Sequence, residues 1–361
     1  MKKIILTGGG TAGHVVPNLA LLPSLAAAGF EIHYIGSKNG IERELVEAAG
    51  VHFYGISSGK LRRYFDLKNI TDAFRVVKGI GEARKILKKI KPDLIFSKGG
   101  FVVVPVILAA KMCGVRAIIH ESDISPGLAN KIVMPFAEKI CASFPETLGF
   151  LNSKARAKAV LTGTPIRESI KNGDRFTGLK IAGFSTGGSD TKAVPASRPV
   201  LLVTGGSLGA AAINACVREA LPEILQKFRV IHLCGRGNLS GVKREGYAEF
   251  EYVSDGMPDI FAAADVVISR AGANTIFELL ALKKPHLLIP LPRAQSRGDQ
   301  IQNAESFERQ GFSRVLPEEN LNTQVLCEEI FSLYNEREKY VNAMATRKSS
   351  DGVAEIMRLI G

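Results

Sequence analysis

The five cysteines of this chain, Cys113, Cys141, Cys216, Cys234 and Cys327, are scattered and form no C-x-x-C pair. An odd, dispersed set excludes a disulfide framework and a zinc site, and it fits a reducing compartment. Long apolar runs are also missing. The longest, from Phe101 to Ala110, is broken by Pro105 and falls well short of the ~18 residues that span a bilayer. Lys2 and Lys3 are followed only by Ile4–Leu6 before glycine, so no signal peptide is expected. The expected compartment is the cytoplasm, with any membrane contact peripheral.

What is present is basic charge. The 361 residues carry a net charge of +12. Between Lys60 and Lys91 eleven basic residues face only Asp66, Asp72 and Glu82, so most of the excess sits in one stretch. Apolar residues are interleaved there, among them Leu61, Tyr64, Phe65, Ile70, Phe74 and Val77. Most read as an ordinary core stripe of a helix. Their mixture with lysine and arginine also suits an anionic lipid surface. No nucleic-acid-binding motif accompanies them, which ranks nucleic acid below membrane.

Hydrophobic content of 46% and charged content of 23% are those of a globular protein. Short apolar runs predict strands at Lys2–Leu6, Glu31–Ile35, Val51–Ile56, Asp93–Phe96, Arg116–His120 and Lys139–Ala142. Helical patterns such as Pro17–Ala28, Ile41–Ala49 and Leu67–Lys89 fall between them. The pattern restarts with strands at Pro199–Val203, Val230–Leu233, Phe250–Val253, Val266–Ser269 and His286–Ile289. Strands apolar on both faces and spaced by helices predict an α/β fold: two Rossmann-like, doubly wound domains facing across a cleft. The boundary falls in the Gly- and Pro-containing segment Leu161–Arg167, giving domains 1–164 and 165–361, with the last helix a candidate to pack back on the first. Ser185–Pro199 reads as a surface loop with no assigned function.

Three glycine-containing turns and one polar turn, each leading from strand to helix, carry the candidate chemistry. In the first, Gly8, Gly10 and Gly13 satisfy G-x-G-x-x-G. A nicotinamide site also wants a carboxylate at the end of the second strand, and Tyr34-Ile35-Gly36-Ser37 offers none. The better reading is a helix N-terminus open to a bulky polar ligand, with His14 as a general base titrating near neutrality. The second turn, Gly205–Ala210, adds Ser207 as a hydroxyl donor to phosphate. The third, Ser269–Thr275, offers backbone amides to a diphosphate and places Glu278 one turn on, able to accept from two ribose hydroxyls. Ser296–Glu305 is a polar turn entering a helix after a strand, suited to sugar hydroxyls, with Asp299 as its candidate cap. No D-x-D pair occurs. Helix dipoles, backbone N–H groups and Arg167 are therefore expected to neutralise a leaving diphosphate, with no essential metal.

The motifs GGGTAGHVVPNLAL, FSKGGFVVVPV, HESDISPGLANKI, TGTPIR, VTGGSLGA, SRAGANTIFE and RGDQIQNAESF stand in the order and spacing of the MurG family. The chain resembles these UDP-N-acetylglucosamine-dependent transferases over nearly its whole length. The resemblance implies the GT-B fold and an inverting transfer of N-acetylglucosamine (GlcNAc) from UDP-GlcNAc to the 4-hydroxyl of the muramyl sugar of lipid I, giving β-1,4-linked lipid II. UDP-GlcNAc is then a substrate, with no cofactor. Lipid I, an anionic phospholipid surface at the inner membrane face and cell-wall synthesis enzymes are the implied partners, without nucleic acid.

Residue by residue, the resemblance puts Thr11, Ala12 and Gly13 near sugar and diphosphate, and His14 as the base. It puts Arg167 and Ser207 on the donor phosphates and Val253 at the uracil. Ala273, Asn274 and Thr275 offer amides, Glu278 holds the ribose and Gln300 the GlcNAc hydroxyls. Two positions depart from the family pattern. Asp123 in HESD stands where some members have the Asn of HEQN, and Asp299 precedes Gln300 where some have paired glutamines. The rival readings are a related transferase acting on diacylglycerol, a nucleotide-responsive module at the membrane surface, and a nicotinamide oxidoreductase.

Overall fold

The structure, a computed structural model, describes residues 1–59, 68–184, 198–206, 209–253, 256–347 and 351–361, residues 68–71 by their backbone alone. The Ser185–Pro199 loop lies almost wholly outside the described residues, as does Ser207. The chain divides into two compact units, Met1–Arg167 with Ser350–Gly361, and Glu168–Ser349.

The first unit is built on β1 (Lys3–Thr7), β2 (Glu31–Ser37), β3 (His52–Ile56), β4 (Leu94–Ser97), β5 (Arg116–Glu121), β6 (Lys139–Ala142) and β7 (Ala159–Leu161). These form one seven-stranded sheet in the order β3-β2-β1-β4-β5-β6-β7, parallel throughout. Side chains of β1 alternate between its faces, as strand geometry dictates. Ile5 joins one core with Ile35, Ile95, Ile119 and Val103, whereas Ile4 and Leu6 join the other with Tyr34, Phe96 and Leu25. Each fully buried side chain of this kind contributes about 1.5–3 kcal/mol. The helix Gly352–Ile360 completes the second core through Ile356 and Ile360. Its start is capped by Asp351, which accepts from Val353 and Ala354 N–H.

The second unit repeats the plan. Its strands are β8 (Val200–Thr204), β9 (Arg229–Leu233), β10 (Tyr247–Phe250), β11 (Val266–Ser269), β12 (His286–Leu288) and β13 (Arg314–Val315), ordered β10-β9-β8-β11-β12-β13. Both sheets have the 3-2-1-4-5 order of a doubly wound fold. Their order reverses between β1 and β4 and between β8 and β11, where ligands bind in such sheets.

Three sequence expectations shift. The first helix begins at Ala12, not Pro17, because Thr11 already has the extended conformation of an N-cap. A second helix, Leu22–Ala27, follows it. The strand expected at Phe250–Val253 starts three residues earlier at Tyr247, whose hydroxyl bonds to His232 and Glu249. Val253 therefore lies in the loop beyond the strand. Strands β7 and β13, too short to give a pattern, were not anticipated.

Candidate functional site

In the first unit the turn after β1 is held from beneath. The Tyr34 hydroxyl donates to Gly8 O at 2.8 Å, and Gly9 N–H donates to Gly99 O at 3.3 Å. The turn after β4 packs directly on it. A Cβ at Gly100, whose φ is +86°, would lie 2.1 Å from Gly9 O, so only glycine fits there.

No carboxylate ends β2 in sequence, yet one is brought there. Glu42, fully buried, accepts from Ser37 N at 2.7 Å, from the Ser37 hydroxyl, and from Gly10 N at 3.4 Å. These bonds commit Glu42 to the protein's own backbone, so it does not restore a nicotinamide ribose site. Sequence reasoning missed it because it sits five residues past the strand.

His14 is the third residue of the helix Ala12–Leu19. Its N–H donates to Thr11 O at 3.1 Å, and its ring lies over Gly99, where an added Cβ would stand 3.5 Å from Cε1 and Nδ1. Thr11 is exposed and Ala12 and Gly13 are half-buried. The structure therefore gathers Thr11, Ala12, Gly13 and His14 at one sheet edge with Gly99 and Gly100.

The loop after β5 carries Asp123. Its N–H donates to Glu121 Oε1 at 3.1 Å, and Gly127 N and Asn130 Nδ2 donate to Glu121 Oε2 at 3.0 and 2.8 Å. The buried Glu121 thus shapes the loop. Lys98, missed in the sequence, lies beneath it. Desolvation pulls its ammonium down to about 7 against the opposing charges of Glu121 and Asp123. Burial and the Lys98 charge hold His120 well below its ordinary value, so the imidazole is neutral. Arg167, exposed, is the last residue of the unit's first segment.

In the second unit the turn after β11 opens the helix Ala273–Ala281 at N-cap Gly272. Ala273, Asn274 and Thr275 make up its first turn, so their N–H groups have no acceptor one turn back within the helix, the arrangement that binds anions. Glu278 is half-buried on the same helix. Two unpredicted contacts brace this turn: Arg270 forms a largely buried ion pair with Glu318, and Asn303 Nδ2 donates to Ala271 O at 3.3 Å.

Gln300 accepts from Leu291 N at 3.0 Å, committing its Oε1 to the turn after β12. Asp299 does not cap the following helix. Gly298 is the N-cap, and Asp299 pairs with Arg297 at 3.6 Å. Val253 is half-buried beside the exposed Tyr252. Among the described residues no group of three or more His, Cys, Asp and Glu side chains is gathered for a metal ion.

Residues 4–142 match the glycosyltransferase family 28 N-terminal domain and residues 200–360 its C-terminal domain. The chain is 53% identical to a UDP-N-acetylglucosamine--N-acetylmuramyl-(pentapeptide) pyrophosphoryl-undecaprenol N-acetylglucosamine transferase of Clostridium botulinum, covering 100% of this chain and 99% of that protein. It is 54% identical to the protein of the same description from Lachnoclostridium phytofermentans, over 100% and 98%. In fold it is similar to the crystal structure of Acinetobacter baumannii MurG, with a TM-score of 0.73 at 22% identity over 100% and 99% of the two chains. The fold, the paired glycine turns and full-length identity to these transferases agree, and the chain belongs to the MurG family within glycosyltransferase family 28.

Proposed function

We propose that this chain transfers GlcNAc from UDP-GlcNAc to the 4-hydroxyl of an N-acetylmuramyl-pentapeptide pyrophosphoryl-undecaprenol, inverting the anomeric centre. The observation that carries the reading is 53% identity along the full chain to relatives named for that transfer. The His14 imidazole takes the proton of the acceptor hydroxyl as its oxygen attacks the anomeric carbon. The bond from that carbon to the diphosphate oxygen breaks, and UDP leaves with the electron pair. Arg167, Ser207 and the N–H groups of Ala273, Asn274 and Thr275 take up the diphosphate charge. Glu278 holds the ribose, Val253 the uracil and Gln300 the GlcNAc hydroxyls. Thr11, Ala12, Gly13 and Asp123 bound the transferred sugar.

The protein acts as a peripheral enzyme at the cytoplasmic membrane face, beside other cell-wall synthesis enzymes. Support comes from the outer face of the helix Lys68–Ile90. Phe74 is 72% and Val77 66% exposed, flanked by exposed Arg75, Lys78, Arg84, Lys85 and Lys88. Apolar side chains ringed by cations suit an anionic lipid surface. No helix among the described residues is long and apolar enough to cross a membrane.

The test is product analysis with radiolabelled UDP-GlcNAc and a lipid I analogue, with and without EDTA. A β-1,4-linked disaccharide lipid formed equally in both is expected. No labelled lipid would sink the reading, and loss with EDTA would sink metal independence.

A further inference from the structure

Lys98 has no part in the reaction just described, although its side chain is only 1% exposed. It follows β4 directly and precedes Gly99 and Gly100. Its Nζ lies 2.8 Å from His120 Nδ1 and 2.6 Å from Ser122 Oγ. His120, fully buried, places Nε2 2.9 Å from Gly163 O. A carbonyl only accepts, so Nε2 carries the ring proton and Nδ1 is the lone pair that receives Lys98. Gly163 O also accepts from the Thr162 hydroxyl at 3.0 Å, and Ser143 Oγ lies 2.7 Å from Thr164 Oγ1. One buried chain, Lys98–His120–Gly163, thus joins the turn after β4 to the end of β5 and the segment after β7, and the Lys98–Ser122 bond adds the loop after β5.

The ionisable groups acting on Lys98 are Glu121 at the end of β5, Asp123 in the loop beyond it, and Cys141 of β6, besides the neutral His120. Burying a cation is costly, and an apolar side chain of similar length would fill the space without that cost. What the lysine holds is the turn that meets His14. Its own N–H bonds to Thr7 O at 2.9 Å, and the next residue, Gly99, faces the His14 ring, which a Cβ there would meet at 3.5 Å.

We propose that Lys98 is a positioning residue of the transfer: its Nζ ties the 120–123 loop and the 162–164 segment to the glycine turn beneath His14, and so sets where the imidazole stands. This rests on the reading of His14 as the base. The network survives loss of a proton, since a neutral amine keeps two N–H donors, one for His120 and one for Ser122. Because the folded value of about 7 lies below the ordinary 10.5, the unfolded chain binds more protons between them. Lys98 therefore lowers stability below that upper limit, most of all at pH 7 and under.

The experiment compares wild-type chain with Lys98→Met for GlcNAc transfer to a lipid I analogue, and for thermal melting from pH 7 to pH 10. Turnover is expected to fall roughly tenfold or more, with the KM for UDP-GlcNAc unchanged. The variant melts no lower than wild type at pH 7, and any advantage it holds shrinks as the pH rises. Wild-type turnover in the variant overturns the proposal, as does an activity loss matched by a lower melting temperature at pH 7. A wild-type chain inactive on lipid I overturns the transferase reading and this role with it. An active wild type beside an equally active variant overturns the role alone. Should Lys98→Met not fold, Lys98→Gln is read by the same criteria.

Discussion

The imidazole of His14 faces Gly99: a Cβ at that glycine would stand 3.5 Å from both Cε1 and Nδ1. Two turns that are 85 residues apart in the chain meet there, and the side chain proposed as the base takes its place from both. Replacing His14 by alanine is expected to lower kcat by about 10²–10⁴ and to leave UDP-GlcNAc binding intact. Calorimetry of the donor beside single-turnover kinetics checks this. Wild-type turnover in the variant would remove His14 from the mechanism.

Gly100→Ala tests the packing of the same two turns. The added methyl would sit 2.1 Å from Gly9 O in a backbone with φ of +86°. Strain of this kind costs about 1–3 kcal/mol. Chemical unfolding is expected to show a loss of that order together with reduced turnover. An unchanged midpoint would mean that the turns separate freely.

The Arg270–Glu318 pair makes a separate prediction for the second unit. Their side chains are 11% and 12% exposed, and removing one partner of a buried pair costs about 3–5 kcal/mol. Glu318→Ala should therefore destabilise strongly and weaken UDP binding, because Arg270 begins the turn that opens the helix Ala273–Ala281. The double variant Arg270→Met, Glu318→Leu should recover much of the stability. If the single change is neutral in urea unfolding, the pair does not brace that turn.

Acid should weaken the second unit. Burial, with Arg218 nearby, holds His232 down to about 4 from 6.5, and burial holds His286 at about 4. Desolvation acts to raise Glu249, but the Ser240 N–H and the Arg218 guanidinium outweigh it and bring it to about 2. All three bind fewer protons folded than unfolded, so stability is lost as pH falls, through 6.5 to 4 for the histidines and 4.5 to 2 for Glu249. Urea midpoints for Glu249→Gln should lie below wild type at pH 7, with the gap closing toward pH 2. A gap independent of pH would contradict this assignment.

On the helix Lys68–Ile90, Phe74→Ser with Val77→Ser should abolish binding to vesicles of anionic phospholipid while sparing transfer to a soluble acceptor analogue. Raised salt should weaken the wild-type interaction, since part of it is Coulombic. Cosedimentation measures both. Equal binding by wild type and double variant would move the membrane contact elsewhere.

Much of the candidate site's framework was legible in order. Glycine turns after β1, β8 and β11, and Glu278 one helical turn beyond Thr275, follow from residue spacing. Other features were not. Glu42 reaches the end of β2 from the next helix, Asn303 secures Ala271 O from 32 residues away, and the strand containing Tyr247 is fixed by its hydroxyl partners rather than by an apolar run.

By itself the sequence determined the alternation of strand and helix, the two-unit plan and the family, because period, turn residues and motif order are local properties of the chain. Only the tertiary structure decided the partners of the buried charges. Lys98 meets His120 from 22 residues away, and His120 meets Gly163 from 43, because the order β1-β4-β5-β6-β7 brings their loops to one edge. A buried charge is tolerated only where such partners converge, and that convergence is set by the sheet order.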